Sequence, residues 1–136
     1  MSTNPLARLI AGVIHARLPW RGLLFVLVCV VCYLALVPMP PKNVDLGWDK
    51  LNHASAFAAL TVAGCFGFPG SRGLVLRVLL ALLALGGLIE IVQYFVPGRS
   101  CDWFDLLADA TGMAIGLGLA LIALAWARRA LPPPGR

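Results

Sequence analysis

Four apolar blocks, each close to the helical length that crosses a bilayer, set the limits on how this chain can fold. They run over Gly22–Val37, Leu51–Phe68, Leu74–Phe95 and Phe104–Trp126. A transmembrane helix needs about 20 mostly apolar residues, because each residue advances about 1.5 Å through a hydrocarbon core about 30 Å thick. Composition points the same way. Of 136 residues, 60% are hydrophobic and 12% charged, whereas soluble domains carry about a quarter charged residues. These features predict an all-α polytopic membrane protein, a bundle of four transmembrane helices. No soluble module and no internal repeat is evident. Residues 1–21 form a cytoplasmic or interfacial amphipathic segment, 22–126 the membrane domain, and 127–136 a cytoplasmic tail. Pro132, Pro133 and Pro134 predict disorder in that tail.

The first block has the basic flank and apolar length of a signal peptide. The segment before it is long for that role, however, and Pro38–Pro41 is a poor cleavage site, so it is read as a retained span. Ahead of it, Leu6, Leu9, Ile10, Val13 and Arg17 recur at helical spacing. That pattern predicts a short amphipathic helix lying on the membrane surface.

The arginines predict orientation. Arg8, Arg17 and Arg21 precede the first span, Arg72 and Arg77 follow the second, and Arg128, Arg129 and Arg136 follow the fourth. Four spans put these eight residues on one side, leaving Lys42, Lys50 and Arg99 on the other. Basic loops stay inside, so both termini are expected in the cytoplasm. The net charge of +5 then reports topology and contact with anionic headgroups, not nucleic acid.

The acids play no part in that orientation, yet all fall on the outer side: Asp45, Asp49, Glu90, Asp102, Asp105 and Asp109. Asp49, His53 and Phe57 share a face of the second span by their spacing of four. Lys50 beside them can snorkel to the interface. Leu83, Gly86, Glu90 and Gln93 form one stripe of the third span. Glu90 precedes Pro97 by seven residues, which sets it about 8–10 Å below the helix exit. On the fourth span, Asp102, Asp105 and Asp109 stand above Gly112 and Gly116, a small-residue seam that lets helices approach closely. The acids above that seam should therefore face the bundle interior. Asp49 and Asp102 also suit ordinary helix-terminal roles. Cys29, Cys32 and Cys65 read as small packing residues; Cys101, beside Arg99, is a candidate reactive thiol. Trp48 and Trp103 suit an interfacial aromatic belt.

The ordered set Asp49-Lys50-x-x-His53, Glu90-x-x-Gln93, Gly98-Arg99-x-x-Asp102-x-x-Asp105, followed by a polar residue and Gly112, resembles the VanZ-like family. The resemblance covers about Asp45 to Gly118. It implies a small multi-pass bacterial membrane protein, and the family's namesake is associated with resistance to the glycopeptide teicoplanin. It thus implies a location and a process, antibiotic resistance at the cell envelope, rather than a reaction. Asp109 stands where similar sequences more often have Asn, which adds a negative charge and favours a cation or proton in the site.

Two functions from different classes follow. The first is a non-catalytic envelope protein whose outward-facing polar cluster recognises a glycolipid, a peptide precursor or a glycopeptide antibiotic. The second is a small membrane enzyme acting on a lipid-linked phosphate. There His53 and the carboxylates supply acid–base groups or hold a divalent metal, and Arg99 clamps a phosphate oxygen. His53, Glu90, Asp105 and Asp109 are the metal-ligand candidates, suited to zinc or manganese; the cofactor itself is left unknown. No charged residue occurs from Phe57 to Gly70 or from Gly112 to Ala127, which disfavours an ion or proton relay across the membrane.

Overall fold

The computed structural model describes residues 5–38, 48–99 and 101–130. Lys42, Asp45, Arg136 and the proline tail lie outside the described residues. Among the described residues all regular structure is helical: α1 (Pro5–His15), α2 (Arg17–Leu36), α3 (Asp49–Gly67), α4 (Arg72–Gln93) and α5 (Trp103–Ala130). Of these, α2, α4 and α5 are long and apolar enough to cross a membrane. The apolar blocks thus became α2 to α5, with α2 and α5 extended beyond their blocks by charged turns.

The remaining block, α3, falls short of the others in apolar character, for a reason visible in its packing. Its first two turns hold Asp49, Lys50, Asn52 and His53, and from Leu60 to Gly67 every residue but Val62 is buried. A helix sheathed by its neighbours need not present an apolar surface to lipid. Its chief neighbours are α5 and α2, while α4 packs more sparsely.

The α3–α5 contact rests on the expected glycine seam. A Cβ on Gly112 would strike the Ala54 backbone, with Ala54 Cα at 2.8 Å. A Cβ on Gly116 would lie 2.9 Å from Thr61 Cβ and 3.0 Å from Ala58 Cα. Bare Cα atoms therefore set the distance between these two helices. Next to the polar end, Phe57, Leu60, Leu82 and Met113 form one core cluster. Toward the other end, Cys65, Phe66, Ala120 and Ala127 form a second with Ala11 and Ile14 of α1. Trp20 closes it edge-on to Phe66, with ring centroids 4.8 Å apart.

The amphipathic helix is present as α1, but Arg17 opens α2 instead of ending α1. Ala11 and Ile14 anchor it, and Leu6, Leu9, Ile10 and Val13 remain exposed. Two details of the third span differ from expectation. Its buried side consists of Leu82, Gly86, Ile89, Glu90 and Gln93, with Leu83 partly exposed. Moreover, α4 stops at Gln93, before Pro97, and the chain turns through Gly98 at φ +81°. Glu90 is therefore in the last helical turn, about 4.5 Å from its end, and lateral packing, not depth, buries it.

Candidate functional site

The first turns of α3, the last turn of α4 and the first turns of α5 meet at one end of the protein. Of the residues singled out in the sequence, they bring together Asp49, Lys50, His53, Glu90, Asp102, Asp105 and Asp109, while Gln93 and Arg99, at the same end, turn to α2. Three of the acids are fully buried or nearly so: Glu90 and Asp109 at 0% exposure and Asp105 at 3%.

Lys50 is the hub of the outer layer. Its ammonium donates to Asp102 Oδ2 at 2.7 Å and to Asp105 Oδ1 at 3.1 Å. It also lies 5.8 Å from the centroid of the Phe104 ring. The lysine thus turns onto α5 rather than snorkelling outward, because two carboxylates at the start of that helix compete successfully with headgroup water. Asp102 also caps α5, its Oδ1 accepting the Phe104 N–H at 2.9 Å. The Lys50 ammonium and then this capping N–H hold the Asp102 carboxyl below its ordinary value of 3.8. At the head of α3 the cap position is Trp48, and Asp49 is the first-turn acid.

The inner layer centres on Asp109. Its Oδ1 pairs with His53 Nδ1 at 2.9 Å. Its Oδ2 rests against the bare Cα of Gly86, in a notch flanked by Phe57 and Leu106. Glu90 Oε2 accepts the Asp102 N–H at 2.9 Å and so ties α4 to the start of α5. Glu90 Oε1 and Asp109 Oδ2 have no hydrogen-bond partner among the described residues. Buried carboxylate oxygens without donors are costly, so the inner layer favours a positive charge. Burial and the neighbouring Glu90 carboxylate push the Cys101 thiol above its ordinary 9.0, which works against the reactivity expected of it.

Gln93 and Arg99 serve a different element. Gln93 Nε2 donates to the Ala35 carbonyl at 3.0 Å. Arg99 donates through Nη2 to the Leu34 carbonyl at 2.5 Å and through Nε to the Val37 carbonyl at 3.2 Å. The last carbonyls of a helix lack intrahelical donors, and these two side chains supply them to α2. The guanidinium also places a positive charge at the negative end of the α2 dipole.

The ligand-type atoms that gather most tightly differ from the set expected for a metal. Among the described residues, Asp49, His53 and Asp105 bring theirs within 4.8 Å of one another; Glu90 and Asp109 do not join that group. With Nδ1 held by Asp109, His53 has Nε2 left for a ligand. Asp49 was visible in the sequence as a helix-start acid, and its spacing of four from His53 was the signal that it belongs here. The Gly86 notch had no such signal, because nothing in the stripe says which neighbour fills it.

The fold and this one-ended polar cluster define a small helical membrane protein with a mixed His–carboxylate–Lys site. Within that class, the sequence model of the VanZ/LLP1 family matches residues 22–124, and the chain belongs to this family. It is also 29% identical over 103 residues to an uncharacterized protein of Schizosaccharomyces pombe. That match covers 74% of this chain and 62% of the relative, so the chain spans about 62% of the length of the curated relative it matches. No solved structure matches it.

Proposed function

We propose that this protein crosses the cytoplasmic membrane four times with both termini in the cytoplasm. Its acidic end then faces outward and recognises an amphiphilic envelope ligand through a positively charged amine. The ligand class comprises envelope glycolipids, peptide precursors and glycopeptide antibiotics. One observation carries this reading. Five carboxylates, Asp49, Glu90, Asp102, Asp105 and Asp109, gather at that end around Lys50 and His53, and two buried carboxylate oxygens have no partner among the described residues. Arg99 and Lys50 are already engaged by the protein, so the surplus is negative and a cationic group is its complement. Within that class, a relative in a yeast favours the glycolipids, whose headgroup chemistry is not confined to bacterial walls.

The test uses the purified full chain in detergent and amine-bearing envelope lipids or glycopeptides in two forms, with the amine free or N-acetylated. Binding of the free amine alone, weakened by Asp105→Asn, is the expected result. Equal affinity for both forms, or an Asp105→Asn variant that binds as tightly as the parent chain, sinks the proposal.

A metal-assisted membrane enzyme is the alternative, and a specific geometry favours it. A metal-bound histidine usually gives its other ring nitrogen to a carboxylate, as His53 gives Nδ1 to Asp109, and Asp49 and Asp105 lie beside it as oxygen ligands. A divalent ion held there would supply Lewis acidity toward a lipid phosphate. Metal content of the purified protein and of His53→Ala separates the two functions. Stoichiometric metal lost in the variant supports the enzyme, and none in either preparation removes it.

A further inference from the structure

The end of the protein opposite the acidic cluster carries a cleft of about 760 Å³, within the size range of about 300–1,000 Å³ typical of ligand sites. Its walls are apolar, formed by Val75 and Leu79 from α4 and by Leu117, Leu121 and Leu124 from α5, with Cys65 of α3 among them. Its rim holds Arg17 from the start of α2, Arg72 from the start of α4 and Arg128 from the last turn of α5, with His15 from α1. No acidic residue lines it.

The cleft exists because α4 packs sparsely on α3 and α5. At this level Leu76 and Leu121 remain 54% and 56% exposed. The arginines differ from their neighbour Arg21. Arg21 donates to the Gly67 carbonyl at 2.8 Å and stacks 4.7 Å from the Phe68 ring centroid. The side chains of Arg17, Arg72 and Arg128 make no hydrogen bond or ion pair among the described residues. The N-terminus of α4 also opens on the rim, and its cap residue Ser71 makes no side-chain cap bond. Its first N–H groups therefore add to the positive potential.

We propose that this cleft binds an anionic phospholipid of the surrounding bilayer. The phosphate lies among Arg17, Arg72 and Arg128, and an acyl chain lies along the apolar walls between α4 and α5. Charge complementarity selects the occupant. Basic pockets between membrane helices suit anionic headgroups, arginine forks match phosphate oxygens, and a zwitterionic headgroup would place its own cation against three arginines. The bound lipid acts as the packing that α4 otherwise lacks. This site is independent of whatever ligand the acidic end takes.

The experiment titrates the full chain, in neutral detergent, with short-chain phosphatidylglycerol, phosphatidylcholine of the same chains, and inorganic phosphate, reading the thermal unfolding midpoint. Phosphatidylglycerol should raise the midpoint, and the other two should not. Removing each rim charge by Arg72→Gln or Arg128→Gln should weaken that response about fivefold, whereas Arg8→Gln, away from the cleft, should leave it unchanged. Leu121→Trp, which narrows the cleft without touching charge, should weaken it too; circular dichroism verifies that each variant is folded. Equal responses to the two lipids, an equal response to free phosphate, or rim variants that respond as the parent chain does overturn the proposal. So does a lipid-insensitive dimer, which would assign the cleft to a second copy.

Discussion

The Asp109 carboxylate sits against Gly86, and the absence of a side chain there is what admits it. A Cβ on Gly86 would collide with Asp109 Oδ2 and lie 3.2 Å from Phe57 Cζ and 3.3 Å from Leu106 Cδ1. Gly86→Ala should destabilise the protein by about 1–3 kcal/mol through overpacking. Asp109→Ala should cost a similar amount, because it leaves His53 without its partner. The double variant should cost clearly less than both together, since shortening Asp109 makes room for the methyl group. Asp109→Asn, which keeps an acceptor for His53, should be milder than Asp109→Ala. Thermal unfolding in detergent measures all four; strict additivity would refute the notch.

The glycines of α5 divide sharply. Gly112→Ala and Gly116→Ala place a methyl group on the backbone of α3, which cannot yield as a side chain would. Each should lower the unfolding midpoint and separate α3 from α5. At Gly118 a Cβ meets nothing within 4 Å, so Gly118→Ala should be neutral or stabilise by up to about 1 kcal/mol through helix propensity. Equal effects at the three positions would contradict the close backbone contact.

Arg99 and Gln93 are joined to the end of α2 through carbonyls at Leu34, Ala35 and Val37. Arg99→Ala should cost about 1–3 kcal/mol as charge-assisted bonds are lost. Arg99→Lys should recover only part of it, because an ammonium lacks the fork that reaches two carbonyls. Amide exchange should quicken in the last turn of α2 in both variants. Full stability in Arg99→Ala would free this residue for a ligand instead.

Cys101 tests orientation and its own environment together. In a background with Cys29, Cys32 and Cys65 replaced by Ala, a membrane-impermeant maleimide should label Cys101 in intact cells. Burial and Glu90 raise its thiol, so the thiolate fraction is small at neutral pH and labelling should quicken steadily as pH rises from neutrality. Replacing Glu90 by Gln should speed labelling near neutrality. Labelling only after permeabilisation would reverse the proposed topology.

Sequence alone determined the class of this protein and the inventory of its polar end. Apolar block length marked the helices, because the hydrocarbon core sets a length that composition must meet. Spacings of three and four assigned Asp105, Asp109, Gly112 and Gly116 to one buried face, because that is the geometry of any helix. Pairings were a different matter. Lys50 reaches Asp102 and Asp105 across more than fifty residues of chain, Arg99 reaches back to α2, and Asp49 rather than Glu90 joins His53 and Asp105. Periodicity fixes which way a side chain points but not which neighbour lies there, and the packing of α3 against α5 and α2 decided that. The arginine-rimmed cleft belongs wholly to tertiary structure: its residues come from separate helices, and only the looseness of α4 makes them one surface.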